Sequence, residues 1–344
     1  MNESPAFTFN EYLQERESMS PEARLRMDKN KFGVTDENDF VETPELVSTL
    51  LGDMREALEE IDNKEAYETA LFWDPANVES VEFLLAFLRA DDYDPNAAAQ
   101  RMVNYWDQKV ELFGTDIAFK ESLSILDVKL EDCNSISKGG LRLLPYGDDF
   151  GRSIIDSQYK QYYDSNTHTD SMRRLLWLLV HIAIFDEERG DFNQVRGMVF
   201  LAGYQTSSDK VLVPIPMAEL IKYSSNCCYD LGSVLPVKVN AVHQFSTNWM
   251  NYFRHEHLLG YLPFLRKYFT FYPPFQVEEN LKLLQLCGIR PEAVPVEQGG
   301  RLDYNYHEWL EELIFNEITK KGVSPEDIEQ KQPGLKYLLT LLDA

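Results

Sequence analysis

The chain has 344 residues, a net charge of −24, an apolar content of 44% and an aromatic content of 12%. The length favours one large domain with a smaller helical appendage, and the apolar content excludes a wholly disordered chain. The negative charge disfavours nonspecific binding to nucleic acid, because contacts with phosphates need clustered lysines and arginines.

No targeting or membrane-spanning segment is predicted. The longest apolar run, residues 175–185, is too short to cross a bilayer, and the first thirty residues are polar and acidic. The four cysteines lack metal-type spacing and a disulfide framework. Residues 1–66 carry 17 acids and 7 bases, whereas residues 151–300 carry 15 and 14. We therefore predict a cytoplasmic monomer whose near-neutral part makes transient contact with an anionic membrane surface.

The N-terminal part reads as an extension followed by helices. Residues 1–41 are charged and aperiodic, which predicts a flexible acidic extension. Thr43 and Pro44 are typical of a helix start, and apolar residues then recur at helical spacing to about Asn63. A second helix is expected from about Asn77, and a third from Asp94-Pro95 to Phe113. Residues 42–135 are thus predicted to form a helical bundle.

The following 166 residues, 136–301, alternate between strand and helix patterns. Strands are predicted at 141–145, 153–155, 197–204, 237–245 and 267–272, and helices at 169–188, 214–231 and 276–286. This order is typical of an α/β domain with a mostly parallel sheet. Residues 302–344 are predicted to form a helical tail.

Catalytic and metal-binding motifs are weak or lacking in the sequence. In the His255-Glu256-His257 triplet the two histidines are two residues apart, which places them on different sides of a helix. The sequence contains no phosphate-binding loop, no dinucleotide-binding glycine pattern and no nucleophile elbow. We predict no catalytic residue, no metal, no cofactor and no enzymatic activity.

Four blocks in order resemble the CRAL-TRIO lipid-binding family, and are most similar to its tocopherol transfer and retinaldehyde-binding subgroup. The blocks are Glu42-Thr-Pro-Glu45 with Met54-Arg-Glu-Ala-Leu58; residues 83–94 with Ala97-Ala-Ala and Tyr105-Trp106; Asp149-Phe-Gly-Arg-Ser153; and residues 235–243 through Pro295-Val-Glu-Gln-Gly-Gly300. The chain departs from the family's usual pattern at Gly203-Tyr-Gln205 and at Asn248-Trp249, so the resemblance leaves the cargo open.

The resemblance implies a fold and a ligand. It implies a three-layer α/β/α CRAL-TRIO-like domain whose hydrophobic pocket holds one lipid and is closed by a gate helix at residues 246–265. The expected pocket residues are Leu176, Val180, Phe200, Ala202, Val211, Val213, Ile215, Val242 and Phe245. The expected gate and membrane contacts are Trp249, Met250, Phe253, Leu258 and Leu259.

A headgroup site is only half matched. Lys267 occupies the position of a basic residue that helps phosphoinositide-exchanging members bind the headgroup, and Lys238 and Arg266 are weaker candidates. The function implied by the resemblance is the noncatalytic binding and transfer or presentation of a single lipid, either tocopherol- or retinoid-like or a phospholipid. The alternative is an interaction scaffold on the same fold that binds a protein such as a small GTPase, with lipid lacking or only regulatory.

Overall fold

The computed structural model describes residues 14, 17–21, 42–120, 123–157, 169–186, 189–203, 226–227, 229–246 and 269–342. The chain begins with helices and continues as a mixed α/β region with a five-stranded sheet. No described helix combines the length and the hydropathy needed to cross a bilayer.

Six helices precede the sheet in residues 42–120. They are α1 (Pro44–Glu60), α2 (Glu65–Trp73), α3 (Pro75–Val78), α4 (Val81–Ala90), α5 (Pro95–Phe113) and α6 (Thr115–Ala118). The predicted starts of α1 and α5 are confirmed, because Thr43 accepts a hydrogen bond from the Leu46 amide and Asp94 accepts from the amides of Asn96 and Ala97. The second predicted helix begins later than expected, at Val81, because Ser80 caps it. Helix α2 was not predicted.

The sheet has the order β1-β2-β3-β4-β5. Its strands are β1 (Leu141–Leu143), β2 (Ile154–Ser157), β3 (Met198–Ala202), β4 (Val239–Phe245) and β5 (Phe269–Tyr272). Strand β1 is antiparallel to β2, and the other three pairings are parallel, which confirms the mostly parallel sheet. Every residue of β3 is buried, as its continuous apolar run predicts for a strand covered on both faces.

The remaining helices lie just before, between and after the strands. Helices α7 (Cys133–Ser137), α8 (Thr169–Ile184) and α9 (Gly190–Arg196) precede β3, and a π-helical turn at Asp230–Val234 precedes β4. Helix α10 (Val277–Leu286) follows β5, and the tail forms α11 (Tyr306–Lys321), α12 (Pro325–Lys331) and α13 (Pro333–Leu342). The predicted helical tail is therefore confirmed.

Two hydrophobic clusters lie on opposite faces of the sheet. The larger includes Phe200 of β3, Leu176 of α8, much of the N-terminal helices and Leu310 and Leu338 of the tail. The smaller includes Leu201 of β3 with residues of α10 and of the chain that follows it. The larger cluster contains residues from all three predicted segments, among them Cys133, Ile136 and Tyr306, whereas Leu302 at the 301/302 boundary lies in the smaller cluster. The segments therefore share one core, and the division into domains stays a prediction.

Buried arginines join the N-terminal helices to the α/β region. Arg89 of α4 forms ion pairs with Glu42 at 2.8 Å and with Asp191 of α9 at 2.9 Å. Arg101 of α5 donates to the carbonyl of Leu235 at 3.0 Å, close to the start of β4. Removing one member of a buried ion pair leaves an uncompensated charge, so these contacts fix the relative position of the two parts.

The closing loop at Pro295–Gly300 is attached to the ends of β2 and β3. The Gln298 side-chain amide donates to Asp156 Oδ1 at 2.6 Å and to the Gly203 carbonyl at 3.0 Å. A Cβ atom at Gly300 would lie 2.0 Å from the Val294 carbonyl oxygen, so the tight turn requires glycine at this position. The Gly-Gly pair of the sequence therefore closes the loop back onto the sheet.

Candidate functional site

Strands β3, β4 and β5 place a set of apolar side chains on one face of the sheet. Val242 of β4 pairs with Phe200 of β3 and with Phe269 of β5. Two residues further on, Gln244 pairs with Ala202 and with Phe271. Paired residues of parallel strands point to the same side, and side chains two apart share a face. We call Phe200, Ala202, Val242, Phe269 and Phe271 the apolar sheet face.

This apolar sheet face is covered unevenly. Phe200 is 7% exposed and packs in the same cluster as Leu176 and Val180 of α8. Val242, Phe269 and Phe271 are only half-buried, although β4 is an interior strand. The rings of Phe269 and Phe271 stack with centroids 5.8 Å apart. The β3 side is therefore filled by α8, whereas the β4 and β5 side keeps accessible apolar surface.

Polar groups lie where β3 and β4 end. The side-chain amide of Gln244 donates to the carbonyls of Ala202 at 3.2 Å and of Phe245 at 2.9 Å. Ser246 follows β4, and its buried hydroxyl has no hydrogen-bond partner among the described residues. In parallel sheets, ligands bind beyond the carboxyl ends of the strands. The site thus combines an apolar floor with one free polar group at the edge where ligands bind in this class of sheet.

Five of the predicted pocket residues lie on this side of the sheet, and one does not. Leu176, Val180, Phe200, Ala202 and Val242 are placed as described above. Phe245 has to be removed from the set, because it packs in the opposite cluster with its ring centroid 4.9 Å from that of Tyr272. Phe245 is three residues beyond Val242, and an odd spacing in a strand reverses the face.

The other predicted pocket and gate residues cannot be compared with the structure. Outside the described residues lie Val211, Val213, Ile215, Trp249, Met250, Phe253, Leu258, Leu259, Arg266 and Lys267. The same holds for the predicted gate beyond Ser246 and for His255 and His257. These predictions stay predictions.

Lys238 is the one candidate headgroup residue that the structure describes. It lies just before β4, and its ammonium forms an ion pair with Asp92 in the turn between α4 and α5. Its side chain is only 17% exposed. This lysine therefore serves the contact between the helices and the sheet.

The opposite face carries a buried polar cluster. His243 Nδ1 lies 2.8 Å from the hydroxyl of Tyr272, and burial, together with the nearby charge of Arg152, lowers the pKa of His243 to about 3. Arg152 is fully buried, donates to Asp148 at 2.6 Å and lies over the ring of Phe150. His243 is therefore neutral at physiological pH, which is typical of a structural histidine.

No cluster of three or more metal-ligating side chains is found within the described ranges. Burial raises the pKa of the Cys133 thiol to about 11. A thiol with a raised pKa is a poor nucleophile.

Sequence reasoning missed Phe269 and Phe271, although the alternating Phe-Thr-Phe-Tyr pattern of β5 gave the signal. No family model matches the chain, and no curated protein matches it. The likeness to the CRAL-TRIO family thus rests on the sequence blocks alone.

Proposed function

We propose that the protein binds a single hydrophobic lipid against the apolar sheet face and transfers or presents it at membranes, on a three-layer CRAL-TRIO-like fold. The half-buried side chain of Val242 on an interior strand carries the proposal, together with its neighbours Phe269 and Phe271. Apolar surface at the centre of a sheet is otherwise covered by a packed layer, since burial is the main source of stability. The tocopherol- and retinoid-like lipids and the phospholipids all fit this requirement.

The topology supports a cover over this face. Strands β2, β3, β4 and β5 follow one another in space in their sequence order, and all are parallel. Right-handed crossovers that proceed in one direction place every connection on the same face of the sheet. Helix α8 connects β2 to β3 on the Phe200 face, and we propose that the gate at 246–265 covers the same face.

The physical basis of binding is apolar burial without covalent chemistry. Each buried methylene supplies about 0.8 kcal/mol, so about ten of them supply about 8 kcal/mol before the cost of association is subtracted. Release of the lipid requires a conformation in which the gate is open. Insertion of the apolar gate into a bilayer would stabilise that conformation. The near balance of acids and bases in residues 151–300 removes the electrostatic repulsion that the rest of the chain would suffer at an anionic surface.

The proposal is tested by following a fluorescent lipid from donor to acceptor vesicles. Val242→Trp fills the accessible space above β4 and is expected to reduce transfer at least tenfold. Val296→Trp makes the same change at a side chain that is 50% exposed and is not part of the apolar sheet face, and it should leave transfer unchanged. Equal transfer by the two variants, with both folded by circular dichroism, would rule out the apolar sheet face as the lipid site.

The scaffold alternative has one observation in its favour. Phe72 and Trp73 at the end of α2 are 81% and 68% exposed, and their rings contact each other at 5.8 Å. Exposed aromatic side chains are enriched at protein interfaces. If a Phe72→Ala, Trp73→Ala double variant loses the biological activity while Val242→Trp retains it, the scaffold hypothesis is favoured over lipid transfer.

A further inference from the structure

A cavity separate from the apolar sheet face lies between the N-terminal helices, α8 and the tail. It has a volume of about 430 Å³, is lined by residues of α4, α5, α8 and the tail helix α11, and is partly open to solvent. This volume is within the range of small-molecule binding sites, roughly 300 to 1,000 Å³. Its lining is mixed: the apolar and aromatic part includes Phe83, Trp106, Leu123, Ile182, Phe185 and Leu313, and the rest is polar or charged.

The cavity contains a lysine in a position that is costly for a lone charge. Lys109 of α5 lines the cavity and is 2% exposed. Its ammonium lies 4.6 Å from the ring centroid of Trp106 and 5.6 Å from that of Tyr105. Across the described ranges, no carboxylate forms an ion pair with it and no group accepts a hydrogen bond from it. A buried ammonium without a partner is destabilising unless an acceptor is supplied.

A second donor beside Lys109 is also unused. The indole N–H of Trp106, three residues before Lys109 on the same helix, is buried and has no hydrogen-bond partner in the part of the chain that the structure describes. The third polar group of the cavity is already occupied. His181 Nδ1 lies 2.8 Å from the Trp177 carbonyl and must donate to it, so His181 Nε2 accepts the hydrogen bond from the Tyr105 hydroxyl at 2.8 Å. The cavity therefore offers two free donors and one cation, and its Tyr105–His181 pair is satisfied internally.

The charges around the cavity do not supply the missing acceptor. Asp127 is engaged by Lys120, and Glu317 accepts a hydrogen bond from Ser124 at 2.6 Å. Asp74 and Asp127 act on Lys109 only as more distant charges, and burial outweighs them, so the pKa of Lys109 falls to about 7. The lining also contains Lys320 and Lys321, and their charges are balanced by Glu82 and Asp186. An incoming anion therefore depends on the two buried donors, the Lys109 ammonium and the Trp106 N–H, for its binding.

We propose that this cavity is a binding site for a small amphipathic monocarboxylate, with the carboxylate held by Lys109 and the Trp106 N–H and the apolar body packed on Phe83, Ile182 and Leu313. A carboxylate is the ligand group that satisfies both donors and neutralises the buried cation in one step. An apolar body matches the walls. The site shares no residue with the apolar sheet face, so this proposal can be tested independently of the lipid-transfer proposal.

The test measures binding of octanoate and of octanol by isothermal titration calorimetry at pH 8. Octanoate is expected to bind one molecule per chain, at least tenfold more tightly than octanol, because only the acid pairs with Lys109. Lys109→Met is expected to reduce octanoate affinity at least tenfold and to leave octanol affinity unchanged. Trp106→Phe, which keeps the aromatic wall and removes the N–H, should weaken octanoate severalfold. Lys336→Met makes the same charge change on α13, in a side chain paired with Glu329, and is the matched control.

A second readout uses the wild-type protein alone. At pH 8 most Lys109 side chains are neutral in the empty cavity, and pairing with a carboxylate restores the proton. Binding of octanoate should therefore take up close to one proton per chain, measured as the dependence of the binding enthalpy on the ionisation enthalpy of the buffer. Val242→Trp should leave this binding intact, and Lys109→Met should leave lipid transfer intact, which separates the two sites.

Three results would overturn the proposal: octanoate and octanol bind equally, octanoate binds wild type and Lys109→Met equally, or octanoate binds without proton uptake. A borohydride-fixed adduct of octanal on Lys109, in a protein that does not bind octanoate, would assign the lysine to carbonyl chemistry and would also refute the carboxylate site.

Discussion

The Lys109→Met variant is expected to stabilise the empty protein in a pH-dependent way. In the unfolded chain a lysine holds its proton up to a pKa of about 10.5, whereas burial lowers the pKa of Lys109 to about 7 in the folded protein. Each pKa unit corresponds to about 1.4 kcal/mol, so burial of the ammonium costs the empty protein about 3 to 5 kcal/mol below pH 7. Methionine has a similar length and no charge, and it fills the same space in the apolar cavity.

The pH dependence has a definite sign. Below pH 7 both states bind the lysine proton and the folded state bears the full cost. Between pH 7 and pH 10.5 the folded state has released the proton and the unfolded state still binds it, so the stability of the wild type rises with pH through this window. The variant lacks this rise. Its advantage should therefore be largest near pH 6 and should shrink by about 3 kcal/mol by pH 9.5.

The assay is urea denaturation followed by circular dichroism at pH 6, 7.5 and 9.5, with Lys336→Met as the control for an exposed lysine. The groups that act on Lys109 are Asp74 and Asp127, and they are common to the variants compared. The reasoning is refuted if Lys109→Met is less stable than wild type at pH 6, or if its stability difference from wild type is the same at all three pH values.

Three further variants, with Gly52→Ala as the control for one of them, test a buried hydrogen bond, a tight backbone contact and a buried ion pair. Tyr105→Phe leaves the Nε2 of His181 buried without a donor and should lower the free energy of unfolding by about 1 to 3 kcal/mol, measured by urea denaturation; no loss would contradict the assigned hydrogen bond. Gly203→Ala should lower the melting temperature, because φ is +90° and a Cβ atom would lie 2.3 Å from the Phe245 carbonyl oxygen, whereas Gly52→Ala, with open space in α1, should raise it. Asp230→Asn removes the bidentate partner of Arg173, at 2.7 and 2.8 Å, and should cost about 3 to 5 kcal/mol in urea denaturation; a cost below about 1 kcal/mol would show that the pair is solvated.

The sequence predicts those elements whose start or burial depends on residues within the element itself. The start of α5 follows from Asp94 and Pro95, which cap and open the helix whatever surrounds it. Strand β3 is predicted by its continuous apolar run, which is typical of a strand covered on both faces. Helix α2 could not be predicted in this way. Lys64 at its start provides no side-chain cap, and the apolar residues Phe72 and Trp73 are exposed, so the helix lacks both a start signal and a regular buried apolar side.

The candidate site was predictable in part. The period of two in β4 and β5 places Val242, Phe269 and Phe271 on one face of the sheet. The same period places Phe245 on the opposite face, so the strand pattern alone excludes it from the pocket. The environment of Lys109 could not be predicted, because its burial depends on α11, which is about 200 residues further along the chain. On α5 alone, Lys109 follows the pattern of an ordinary amphipathic helix.

The central claim is that the protein carries a lipid, and extraction of the purified protein with organic solvent followed by mass spectrometry tests it most directly. The account predicts one hydrophobic lipid of a defined class, near one molecule per chain in the wild type, and a clear loss of that lipid in Val242→Trp with retention in Val296→Trp. Purified protein that yields no lipid above the buffer blank, or the same mixture of lipids from all three proteins, would contradict it.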